Sequence, residues 1–379
     1  MSPEVEPFEV DLAEETVADL RERLERTRWP DQLPDAGWEY GTEREQLQEV
    51  CEYWRTGYDF EGYERRMNRF DQYTTTIDGQ QVHFYHVESP EPDARPLLLS
   101  HGWPGSVVEF HEVIKPLTDP TANGGDPGDA VDVVAPSLPG YGFSGPTGGR
   151  GWDIQRIADS FATLMSRLGY ERFLAQGGDW GSLITADLGA RYPDRVKAIH
   201  TNMLSVQPSA LGVEDPMGLL DEQGRKTVQE VRSFQADETG YQEIQSTKPQ
   251  TLAYGLMDSP AGLAGWVLEK FQTWADGGLE AFDRDRLLDN LTTYWVTGTV
   301  NASTRLYYET DTEETLPASV DVPTGHARYP GEIYKTPRPW ADRAYNIVHW
   351  AEMDEGGHFA AMEVPGVFVD DLREWLRVV

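Results

Sequence analysis

The sequence holds a single cysteine, Cys51, in 379 residues. A lone thiol excludes a disulfide framework and a cysteine-rich metal centre. Lysine is almost as scarce: Lys115, Lys197, Lys226, Lys248, Lys270 and Lys335 are the only six. Basic side chains total 32 against 65 acidic ones, a formal net charge of −33. A surface of that sign repels a polyanion, so nucleic acid is excluded as a partner. No apolar run approaches the length that spans a bilayer, and the start, MSPEVEPFEV, lacks the basic end and apolar run of a secretory signal. These absences lead to the expectation of a soluble, cytoplasmic protein with no membrane partner. Acidic excess with few lysines is also a halophilic composition, in which high ionic strength screens the self-repulsion. An ordinary acidic surface is the plainer reading of the same numbers.

What is present is a chain with 39% hydrophobic residues, enough for a sizeable core, and no internal repeat. Residues 1–75 read as a helical extension. Leu12, Val17, Leu20 and Leu24 make a stripe at helical spacing that Trp29-Pro30 stops, and a second helix is expected near Glu43 to Trp54. Asp78-Gly79 between two strand-like runs signals a hairpin. His83 and His86 lie three apart on its second arm. They face opposite sides and cannot share a metal. From there to about residue 205, strands alternate with helices: Leu97–Ser100, Val131–Ala135, the helix carrying Ile154 to Leu168, and Val196–Asn202. That rhythm predicts an α/β fold with a mostly parallel central sheet flanked by helices. Residues 206–315 break it with helical stretches such as Gly262–Trp274 and Arg286–Thr297, which read as a helical cap insertion. Strand patterns return at Ser319–Pro323 and Asn346–Trp350, before a last helix. The expected division is therefore an N-terminal extension (1–75), a core in two halves (76–205 and 316–379) and a cap (206–315).

Between an apolar strand and a helix lies Gly177-Gly178-Asp179-Trp180-Gly181. The spacing is that of a nucleophile elbow, with aspartate where serine is commonest. The glycines admit a turn too tight for side chains, and the turn carries the nucleophile out at a strand's carboxyl end. A plainer reading makes Asp179 a helix cap. Two later features favour chemistry. Glu332 follows a returning strand, and His358 follows Gly356-Gly357 near the end of the chain. Nucleophile, acid and histidine in that order is the arrangement of α/β-hydrolases. Asp354, four residues before His358, competes with Glu332 for the acid role.

Several separate stretches then carry a family resemblance: YWRTGYDF in the extension, HGWPGS, GGDWGSLI, GYQEIQSTKP, MDSPAGLAGWVLEKFQTW, YWVTGT, VPTG and GGHFAAME. The chain resembles the microsomal-type epoxide hydrolases, a branch of the α/β-hydrolase fold with an N-terminal extension. The likeness covers almost the whole chain. It implies detoxification-type hydrolysis of a small apolar epoxide to a vicinal diol without metal or organic cofactor. It places the nucleophile on Asp179, the general base on His358 and the orienting acid on Glu332. It places the epoxide-gripping tyrosines on Tyr241 and Tyr307, with Tyr308 as the neighbouring alternative. The backbone N–H groups of Trp103 and Trp180 form the implied oxyanion hole. Membrane-bound relatives carry an anchor before the extension, whereas this chain starts at the extension, in keeping with the soluble expectation. The oligomeric state is open, a homodimer included.

Rival readings use the same residues. A haloalkane dehalogenase also has an elbow aspartate, and Trp180 would suit a halide, but a halide needs no proton from tyrosines. A non-catalytic member of the fold would not need the full set of chemical groups. A serine esterase lacks its serine. Trp266, Phe271 and Trp274 read either as the wall of an apolar tunnel or as the insertion's own core.

Overall fold

The computed structural model describes residues 5–310 and 315–379. The first four residues of MSPEVEPFEV, and 311–314 within the expected cap, lie outside the described residues. The centre is a nine-stranded sheet in the order β1-β2-β3-β5-β4-β6-β7-β8-β9. Its strands are β1 (Glu6–Pro7), β2 (Gln72–Ile77), β3 (Gln80–Val87), β4 (Arg95–Ser100), β5 (Val131–Pro136), β6 (Phe173–Gly177), β7 (Val196–Thr201), β8 (Val320–Arg328) and β9 (Tyr345–Glu352). The β1–β2–β3 meander and its junction with β5 are antiparallel, and every other pairing is parallel. The sequence explains this division. Leu97–Leu99 of β4 and the whole of β6 are buried, as parallel strands covered on both faces must be. The β2–β3 hairpin turns through Asp78 (φ 51°) and Gly79 (φ 76°), the two left-handed residues that a twist-matched two-residue turn requires.

The first helices are α1 (Glu14–Glu25), α2 (Arg44–Thr56) and α3 (Phe60–Met67), followed by α4 (Ile114–Thr118) and α5 (Ile154–Arg167). Helix α5 shows how the pattern becomes packing. Asp153 caps it by accepting from the Arg156 N–H, and Ile154, Ile157, Ala158, Phe161, Leu164 and Met165 form its buried stripe. Helix α6 (Trp180–Arg191) is buried on nearly every side and backs the elbow. Between β7 and β8 run α7 (Glu222–Asp237), α8 (Gly240–Thr247), α9 (Pro249–Asp258), α10 (Pro260–Trp274), α11 (Arg284–Thr297) and α12 (Val300–Glu309), with no strand among the described residues there. The chain closes with α13 (Arg338–Ala344), α14 (Ala360–Glu363) and α15 (Pro365–Leu376). No helix among the described residues is long and apolar enough to cross a membrane.

Two strands outrun the sequence reading. Strand β8 continues past Pro323 through Thr324-Gly325-His326 to Arg328, and β9 reaches Glu352. Small and polar residues hide those ends from an apolar pattern, yet ladder pairing buries much of β8 between β7 and β9. The two-residue β1 was too short to leave any signal.

Helices α2 and α3 are tied to α11 by buried polar contacts. Arg66 grips both oxygens of Asp289 at 2.7 and 2.6 Å, the Tyr58 hydroxyl donates to the same carboxylate at 2.6 Å, and the Trp54 indole donates to Thr292 at 3.0 Å. Asp289 is buried and Arg66 half-buried, so removing the carboxylate leaves the buried Tyr58 hydroxyl and part of the guanidinium without their partner. Asp289→Ala is therefore expected to lower folding stability by about 3 kcal/mol, read as a lower denaturation midpoint in urea; an unchanged midpoint would show that the clasp adds nothing.

Candidate active site

The elbow lies between β6 and α6. Asp179 sits at φ 49°, ψ −129°, a strained conformation for a residue with a Cβ. Its glycine neighbours are dictated by close approach. A Cβ on Gly181 would lie 1.9 Å from the Ser100 carbonyl oxygen, and one on Gly177 would lie 2.1 Å from that of Gly181. A Cβ on Gly102 would lie 2.1 Å from Asp179 Oδ1, so the loop after β4 passes against the carboxylate only because that position is glycine.

That loop supplies the first polar contact. The Trp103 N–H donates to Asp179 Oδ1 at 2.8 Å. No hydrogen bond from Trp180 N–H to the carboxylate occurs among the described residues, so the two expected donors are not equivalent here. The other oxygen, Oδ2, stands 3.3 Å from His358 Nε2. His358 Nδ1 donates to Glu332 Oε1 at 2.8 Å, and that oxygen also accepts from the Ile333 N–H at 2.7 Å. The His358 N–H donates to the Trp274 carbonyl at 2.9 Å, which ties the histidine loop to the end of α10. Asp354 is exposed, whereas Glu332 is buried against the imidazole. The acid that meets His358 is Glu332.

Burial disfavours charge on His358, but the carboxylates of Glu332 and Asp179 outweigh it and raise the imidazole's pKa well above its ordinary value. Two carboxylates thus flank His358 and favour its protonated form. His101, although also close, is spent on structure. Its Nε2 accepts from the Leu138 N–H, and burial lowers its pKa to about 4.

Above the carboxylate, α8 and α12 bring Tyr241 and Tyr307 together with ring centroids 5.9 Å apart. Tyr241 stacks on Trp103 at 5.3 Å, and Tyr307 meets Trp180 edge-on at 4.7 Å. Tyr307 is 6% exposed and Tyr308 is 58% exposed, so the former faces inward. Burial, reinforced by the Asp179 charge, pushes both inward phenols well above their usual pKa. Both remain protonated donors at neutral pH. A cavity of about 390 Å³ reaches Asp179, Tyr241 and Tyr307 and is walled by apolar groups including Val228, Val231, Leu316 and Trp340. Phe271 and Trp274 are buried outside that wall, stacked with Phe359, and Trp266 is also absent from it. Sequence reading missed Lys270, which is buried with its ammonium 4.4 Å from the Tyr241 ring and paired with Glu269. Its only signal was a lysine in a mostly apolar helix of a lysine-poor chain.

Comparison with known proteins decides the family. Residues 5–110 match the family described as Epoxide hydrolase N terminus, and residues 95–240 match the alpha/beta hydrolase fold. Epoxide hydrolase 1 of Sus scrofa is 36% identical over 99% of this chain and 89% of its own. The chain belongs to the epoxide hydrolase family. The crystal structure of juvenile hormone epoxide hydrolase from the silkworm Bombyx mori superposes with a TM-score of 0.90 at 33% identity, covering 99% of this chain and 95% of that one. The Aspergillus niger epoxide hydrolase structure gives 0.89 at 30% identity, covering 100% and 97%.

In this epoxide hydrolase, Glu332→Gln deletes a buried charge that holds the proton on His358. The imidazolium pKa is expected to fall, followed by NMR titration of the His358 ring; an unchanged titration would mean that Glu332 does not set its charge.

Proposed function

We propose that this enzyme opens an epoxide through a covalent ester on Asp179. The supporting observation is the split environment of one carboxylate, with Oδ1 on the Trp103 N–H and Oδ2 facing the His358–Glu332 pair beneath two inward phenols. A saturated epoxide carbon is displaced from behind. Asp179 forms the new C–O bond while the ring C–O bond breaks. The ring oxygen leaves as an alkoxide and takes a proton from Tyr241 or Tyr307, which grip it and place the carbon.

The charges then reorganise. Esterification removes the negative charge of Asp179 beside His358. The imidazolium loses one of its two supports and can return the tyrosine's proton. The neutral imidazole, oriented by Glu332, draws a proton from water as the water oxygen attacks Cγ of Asp179. The oxyanion forms on the oxygen that already accepts from Trp103, and the Trp180 N–H completes the hole as Oδ1 shifts. Collapse breaks the bond from Cγ to the diol oxygen, which takes the proton still carried by the oxygen that came from water, and this restores the imidazolium–carboxylate pair. The balance is one epoxide and one water consumed for one vicinal diol.

In this reading residues 206–315 act as a cap that carries both phenols, residues 1–75 wrap the core, and 76–205 with 316–379 form its two halves. The apolar wall of the cavity favours an epoxide with a bulky apolar substituent. A single turnover of styrene oxide in heavy-oxygen water tests the route. Label is expected in the Asp179 carboxylate, with an unlabelled first diol; label appearing directly in that diol would mean that water attacks the epoxide itself.

A further inference from the structure

A second, much smaller cavity also reaches Asp179. It measures about 20 Å³ and is lined by Ser100, Glu109, Gln176, Asp179, His358 and others. That volume suits a single water, provided polar partners line it. Ser100 Oγ and Gln176 Oε1 are buried without a hydrogen bond, and His358 Nε2 has only its 3.3 Å ion-pair contact with Asp179 Oδ2. Buried polar atoms without partners are uncommon, and two beside one small void indicate what fills it.

Glu109 also lines this void. It lies in a 3₁₀ turn, Val107–Phe110, that follows HGWPGS. Its side chain folds back over Gly105, where a Cβ would sit 1.6 Å from Glu109 Oε1. Glu109 is partly buried, lines the void, and has no hydrogen bond to its carboxyl among the described residues. We infer that Glu109 holds the hydrolytic water in this cavity, accepting one of its hydrogens while His358 Nε2 takes the other. This rests on the ester route above. With one O–H aimed at Glu109 and the other at His358, a lone pair of the water oxygen is left to attack Cγ of Asp179. That O–H bond breaks to His358 as the O–C bond forms, and Glu109 neither gains nor loses a proton. Burial pushes its carboxyl up to about 8, opposed by the positive charge of His358.

The test separates the two half-reactions by rapid mixing with styrene oxide, following tryptophan fluorescence and the intact mass of the ester. In Glu109→Leu the ester is expected to form at a rate within about threefold of the parent, while its breakdown slows roughly 100-fold, the scale of a misplaced reactant. The adduct then accumulates during turnover. Glu109→Gln keeps an accepting oxygen and is expected to recover most of the breakdown rate. Gly105→Ala, whose methyl displaces the carboxyl without deleting it, is expected to slow the same step and decides the matter if Glu109→Leu forms no ester. Parental ester breakdown in both Glu109→Leu and Gly105→Ala would overturn the inference, as would equal slowing in the leucine and glutamine variants. A parent enzyme that never carries an ester overturns the covalent route itself, a result distinguishable from either.

Discussion

One carboxylate with two unlike oxygens organises this structure. Asp179 Oδ1 is fixed by a backbone N–H, and Oδ2 is left to the His358 ring 3.3 Å away. Holding it there requires a left-handed aspartate, glycines at 102, 177 and 181 where any side chain would collide, and a helix buried on almost all faces behind it. A strained backbone conformation of this kind costs on the order of 1–3 kcal/mol. The parallel strands on either side of the elbow hold it in place.

The second constraint is electrostatic. Three ionisable groups, Asp179, His358 and Glu332, share a mostly buried site, so each one's charge depends on the others. A histidine held charged by a carboxylate is a poor base until that carboxylate is esterified. The geometry thus orders the proposed chemistry in time, with no moving part. The inward phenols follow the same logic in reverse: burial beside a negative charge keeps their protons on until an alkoxide, a far stronger base, appears.

Much of this was legible in the residues. The elbow spacing, the helix stripe from Ile154 to Met165 and the Asp78-Gly79 hairpin are local patterns, and local patterns survive in sequence. Pairing and burial are not local. The ends of β8 and β9 were hidden because Gly325 and His326 look like loop residues until neighbouring strands cover them. Glu332 and Asp354 were separable only by burial, and Tyr307 and Tyr308 only by which face of α12 turns inward. Composition alone could not assign Trp266, Phe271 and Trp274 to wall or interior. The polar groups around the small cavity, Ser100, Glu109, Gln176 and His358, come from four separate strands, turns and loops, which no spacing rule connects.

The central claim is that the elbow carboxylate becomes covalently attached to the substrate. Replacing His358 by Gln removes the base and leaves the nucleophile in place, so the enzyme is expected to stop at the ester. Intact-mass measurement after mixing with styrene oxide then shows the chain heavier by one epoxide, with the added mass on the peptide containing Asp179. An unmodified chain, or an adduct on any other peptide, would contradict the account.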